Sequence, residues 1–265
     1  MNLDLIRHEA GSAWRLLLIL ALGLLLFGVL MSAVFPAMHD SMSAMLRMVP
    51  SFLQPMVRSR AGLDTFEGFA GIAFTHPVLL ALFAAWSIAR GAQAIAGEIE
   101  AGTLGWILSY PLDRAAFVLS KALVLLSGAM ALSIAFIAGL LGAAEALGIA
   151  HAGIRPYLLA GLETFALYGA IGAITLCCSA MTSEKGKAVL VGTGIMLGGF
   201  LLNYVAELWA PAKAVRFLSL FAYYDPKALL GGGALVPSHL GVLLGVTLVA
   251  IAGAVLAFRR RDLSI

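Results

Sequence analysis

Residues 96–114, AGEIEAGTLGWILSYPLDR, set two glutamates, an aspartate and an arginine into a chain that is otherwise almost continuous hydrocarbon. Carboxylates this close together can act as acid and base, ligate a metal, or offer charge to a basic partner. The first two chemistries lack companions. The histidines His8, His39, His76, His151 and His239 form no H-E-x-x-H pair, and no G-x-S-x-G elbow occurs, so protease and lipid-hydrolase signatures are missing. The nearest approach to a phosphate loop is SEKGKA at 183–188. It has Gly186 and Lys187 but neither the upstream glycine nor a following Ser or Thr. The chain is therefore expected not to be an enzyme, and docking is the chemistry left for the insert.

Local signals shape that insert. Gly97 and Gly102 bracket Glu98 and Glu100, and Thr103 is placed to cap a short helix whose Leu104, Ile107 and Leu108 form one apolar stripe. Pro111 ends it. Asp113 is predicted to cap the next helix, with Leu112 and Phe117 as a hydrophobic staple. A plain connector would not need a glycine, a capping threonine and a proline at these places. Trp106 and Tyr110 would also suit a solvated loop poorly. The pattern predicts a rigid amphipathic knob for a soluble partner.

The surrounding elements must be membrane spans. Of 265 residues, 62% are hydrophobic and only 12% charged, with mean hydropathy +0.99, against about 25% charged in a soluble domain. About 20 apolar residues cross a bilayer, and six such runs occur, near 16–38, 70–96, 115–143, 157–181, 188–207 and 239–258. The expected fold is an all-α integral membrane protein, one permease domain over 1–265. With a cytoplasmic N-terminus, the inner segments hold ten of the 17 Lys and Arg residues, including Arg7, Arg15 and Arg259 to Arg261. That bias puts both termini in the cytoplasm. The first apolar run is longer than a signal-peptide core and no small-residue cleavage site follows it, so it is read as a retained span. Cys177 and Cys178 are adjacent and are not expected to bridge. The outer segments 39–69 and 208–238 are too short to bury a core and are expected to lie on the membrane surface. In the first, Met38, Met42 and Met45 share one helical face until Pro50.

With these residues in place, GEIEAGTLGWILSYPLDRAAFVLSKAL resembles the signature of the type-two ATP-binding cassette permeases. Glu98, Glu100, Gly102, Thr103, Leu104, Pro111, Arg114 and Lys121 match its pattern; Gly105 departs from it, where the family often has a glutamate. The resemblance also covers an N-terminal interfacial helix, LIRHEAGSAWR, and a FAYYDP segment before the last span. It implies that residues 98–111 are a coupling helix docking into a cytoplasmic ATPase. Leu104, Trp106, Ile107 and Leu108 would be the knob, Gly102 and Thr103 its entry, and Pro111 its exit. It further implies two ATPase copies that carry the ATP and magnesium, a second permease copy or a related permease, contact with membrane lipids, no nucleic acid, residence in the inner membrane, and outward transport.

Elsewhere the sequence speaks less. Glu163 is the acid lying inside a span and is a candidate for the translocation path. Glu98 and Glu100 are candidates for pairing with ATPase bases. Arg114 and Lys121 are expected to anchor at headgroups, and Arg90 to snorkel. Met31, Met38, Met42, Met45, Met48 and Met56, with His39, crowd the first outer segment and raise copper-site maturation as a minor variant. Two other classes stand beside the exporter. A secondary transporter would need more coupling acids and repeated halves; a non-transporting assembly factor would show stable partners without ATP-dependent flux.

Overall fold

The computed structural model describes residues 3–48, 65–105 and 113–261. It is all-helical, with no strand among these residues. Six helices are long and apolar enough to cross a membrane. Helix α1, Leu3–Met48, runs 46 residues without a break, past Pro36. At about 1.5 Å per residue this is more than twice the roughly 30 Å of bilayer hydrocarbon. The N-terminal segment expected at the interface is thus continuous with the first span, since no breaker separates them. The same helix carries on through Met38, Met42 and Met45 into the segment assigned to the outer surface; Pro50 and Met56 lie outside the described residues.

The second apolar run is cut in two. A short helix α2, Phe66–Phe74, is capped by the Thr65 hydroxyl, which accepts from Gly68 N at 3.2 Å. His76 then takes an extended conformation, as a residue before proline must, and its Nδ1 accepts from Val78 N at 3.2 Å. Helix α3, Pro77–Glu100, follows, with a π-helical turn at Gln93–Gly97. Next come α4, Arg114–Ala146, α5, Arg155–Met181, and α6, Lys185–Leu208. Two 3-10 turns, Ala210–Leu218 and Leu220–Tyr223, and the short α7, Pro226–Leu230, return the chain to α8, Pro237–Arg260.

Helices α3, α4 and α5 form the centre, with 61%, 56% and 72% of their apolar windows buried, against 28%, 17% and 22% for α1, α6 and α8. Helix α1 packs chiefly on α4, and α8 on α5. Small residues set these distances. A Cβ on Gly139 would sit 2.1 Å from the Leu25 carbonyl oxygen, and one on Gly28 would sit 2.6 Å from Leu140 N. Ser32 Oγ, on the same crossing, donates to Leu140 O at 2.6 Å. Trp86 fills the space over Gly128 and donates its indole N–H to Leu125 O at 2.9 Å.

The start of α1 and the end of α8 lie at one end of this bundle, here called the terminal end, with the turn after α3, the start of α4 and the α5–α6 corner. The other end holds α2, the α4–α5 loop and the return segment between α6 and α8.

Candidate functional site

At the terminal end the polar insert begins where α3 changes its winding. The π turn frees backbone amides at its lower edge, and Ser179 of α5 takes them up. Its hydroxyl oxygen accepts from Ile95 N at 3.2 Å and Ala96 N at 2.8 Å, and donates to Ala92 O at 2.9 Å. Just beyond, the helix stops at Gly102, whose φ of +68° is a conformation that favours glycine. Thr103 N reaches back to Glu98 O at 3.0 Å and Gly102 N to Ile99 O at 3.0 Å, a Schellman closure. Gly102 thus sets a sharp corner at the end of α3. The Thr103 hydroxyl donates back to both the Glu98 carbonyl and its carboxylate, so it ties the corner to the preceding helix.

Four charged residues of this end pair with one another inside the chain. Lys121 of α4, only 4% exposed, bridges Glu9 of α1 and Glu98 of α3, the latter at 2.8 Å. Arg90 completes the chain at 3.1 Å from Glu9. Lys121 is thus not a headgroup anchor, and Arg90 does not snorkel: each finds a carboxylate on a neighbouring helix, which outweighs exposure for a charge fixed this deep. Glu98 is satisfied within the chain in the same way. Glu100 accepts from the backbone N of Lys185, at the start of α6, at 2.8 Å. Arg114, also expected at headgroups, donates instead to the carbonyls of Phe258, Arg259 and Arg261 at 3.2, 3.3 and 2.7 Å. A guanidinium there meets the negative end of α8. Arg261 does the same for α5, donating to Ala180 O at 3.1 Å and Thr182 O at 2.8 Å.

Two further sequence expectations change here. Leu104 does not face outward. It is buried in a cluster with Ile95, Phe117, Val118, Leu176 and Phe258, so it roots the insert in the bundle. Asp113 stands at the N-cap of α4 without a side-chain hydrogen bond, its carboxylate turned toward Arg259 at 3.6 Å. Trp106, Ile107, Leu108, Tyr110, Pro111 and Leu112 lie outside the described residues.

Glu163, the candidate for the path, is buried between helices near the far end, where its Oε2 accepts from the backbone N of Asp225 at 3.1 Å. Its immediate work is to hold the return segment. The adjacent Tyr224 hydroxyl donates to Phe74 O at 2.8 Å and meets Thr164 Oγ1 at 3.1 Å. Burial pushes the Tyr224 phenol well above its ordinary pKa, so it stays protonated.

The profile of the family described as "ABC-2 family transporter protein" matches residues 3–263. The chain belongs to this family. It is a multi-pass transport permease, a membrane component distinct from an ATPase. Among curated proteins, none matches the sequence.

In this ABC-2 permease the residues that sequence reasoning missed are Glu9, Ser179 and Tyr224. The signal for Glu9 was present: Arg90 and Lys121 in otherwise apolar helices demand carboxylates, and Glu9 is the acid of the N-terminal helix nearest the first span. No comparable signal marks Ser179, because a serine inside an apolar helix usually bonds its own backbone.

Proposed function

We propose that this chain is the membrane half of an ATP-driven exporter and that its insert, about 98–111, is the coupling helix gripped by a separate cytoplasmic ATPase. The ion-paired chain Arg90–Glu9–Lys121–Glu98 carries this reading. It joins the root of the insert to α1 and α4, while Glu100 reaches α6 and Ser179 ties α3 to α5. A displacement applied at the insert is therefore delivered to five spans through short, directed bonds rather than through a loose loop. Glu98 and Glu100 act in this reading as internal linkers, and Leu104 as the root. Trp106, Ile107 and Leu108 supply the surface for the ATPase. The path runs along the apolar groove of about 460 Å³ between α3 and α6, lined by Ala81, Ala84, Ile88, Val189 and Met196. It is completed by a second permease copy. Two ATPase copies bring the ATP and magnesium, and the assembly sits in the inner membrane with both termini cytoplasmic.

The test is gentle extraction of the tagged chain from its native membrane with identification of what co-purifies. The expected partner is a soluble ATPase carrying a phosphate loop, lost when residues 102–111 are replaced by a flexible linker while membrane insertion is unchanged. A well-folded chain that brings down no ATPase and supports no ATP turnover would sink the proposal.

A further inference from the structure

The far end carries a polar cavity that the coupling machinery does not use. It measures about 310 Å³ and lies between the beginning of α3, the last turns of α6 and the return segment. Arg216, Lys227, Glu207 and Asp225 line it, two cations and two anions. Among the described residues, none of these four makes an ion pair. At the terminal end the buried charges Glu9, Arg90, Lys121 and Glu98 pair with one another, so this separation is a distinguishing feature. Arg216 is also held in place: its Nε donates to Asn203 Oδ1 at 2.9 Å, a bond that leaves the terminal guanidinium nitrogens free. A fixed guanidinium edge suits two-point contact with a phosphate. Glu207, at the opposite sign, makes no side-chain hydrogen bond among the described residues and suits an ammonium, and Tyr204 and Phe200 beside it can face a cation.

The surroundings say where such a ligand comes from. The last turns of α6 and the 3-10 turn after it expose Leu208, Trp209, Phe217 and Leu218, the amphipathic mixture found at headgroup depth. Below the cavity, α6 continues as an exposed apolar face through Leu201 and Leu190, along which acyl chains can lie. We infer that this cavity binds the headgroup of a zwitterionic phospholipid, its phosphate on Arg216 and Lys227 and its ammonium toward Glu207, with the chains along α6. A net-neutral set of separated charges matches a headgroup bearing both signs and disfavours a purely anionic one. The inference concerns this chain alone and stands or falls independently of ATPase coupling.

The experiment is native mass spectrometry of the purified full-length chain in detergent, titrated with dioleoyl phosphatidylethanolamine, phosphatidylcholine and phosphatidylglycerol. Retention of at least one zwitterionic lipid well above phosphatidylglycerol is expected. Arg216→Gln and Glu207→Gln should each weaken it about tenfold, and Lys213→Gln, outside the cavity, should not. Should Arg216→Gln fail to fold, the exposed Glu207→Gln still decides. Equal or tighter binding of phosphatidylglycerol, or binding indifferent to both variants, overturns the assignment. Competition by soluble phosphoethanolamine or phosphocholine at matching concentrations overturns the lipid source and assigns the site to a free solute of the same chemistry.

Discussion

The two ends of the bundle treat charge in opposite ways. At the terminal end Glu9, Arg90, Lys121 and Glu98 are packed among helices and satisfy one another. At the far end Arg216, Lys227, Glu207 and Asp225 surround a cavity without ion-pairing among the described residues, and single hydrogen bonds to backbone hold the structure: Tyr224 to Phe74 O, Glu163 to Asp225 N, and Ser219 Oγ to Gly199 O at 2.7 Å. The difference separates charges that belong to the architecture from charges left for something else. Buried, mutually paired charges tie helices together, and removing one strands the rest. Asp225 also caps α7, accepting from Ala228 N at 3.1 Å, but the Arg216, Lys227 and Glu207 charges around the open volume remain available to a ligand.

That contrast can be measured by deletion. The greatest loss is expected for Lys121→Ala, which leaves Glu9 buried with only Arg90. Thermal or denaturant unfolding of the purified chain should show about 3–5 kcal/mol of destabilisation. A loss under about 1 kcal/mol would mean that water reaches the cluster and that it is not the rigid link described. Ser179→Ala comes next, at about 1–3 kcal/mol, because the amides of Ile95 and Ala96 lose their acceptor. Its readout is also local, as faster amide hydrogen exchange in the π turn than in the rest of α3.

At the far end Tyr224→Phe removes the bond to Phe74 and should cost about 0.5–1.5 kcal/mol. It also carries a pH signature. The phenol's pKa is raised on folding, so its contribution is intact below the unfolded value of about 10 and is lost as pH rises beyond it. Stability of the native sequence should therefore fall more steeply above pH 10 than that of Tyr224→Phe. Parallel curves would show that the phenol is not held neutral. Lys227→Ala should change stability by no more than about 0.5 kcal/mol. An effect as large as that of Lys121→Ala would erase the distinction between the two ends.

Much of this was legible before any coordinates. Apolar runs of bilayer length announced six spans, and the corner at Gly102 followed from a glycine placed between an acidic helix end and a new apolar stripe. The break of the second span was also written in the sequence, in the pair His76–Pro77, although hydrophobicity alone ran straight across it. The direction of Leu104 was not legible. An amphipathic stripe tells which residues share a face, but not whether that face meets a partner or the chain's own helices.

Charge pairing was the least legible of all. Arg90, Lys121 and Arg114 each look like interfacial anchors when considered one helix at a time, since a basic residue near a span's end ordinarily reaches for headgroups. Glu9 lies 81 positions from Arg90, and Arg114 bonds carbonyls some 145 positions away. Composition and periodicity are properties of single segments, so they settled the membrane environment, the span count and the position of the insert. Which charges meet, which glycines let helices touch, and which cavity keeps unpaired charges depend on how the segments are set beside one another. Only the packed bundle fixes that, because the energy of a buried charge depends on its neighbours in space and not on its neighbours in the chain.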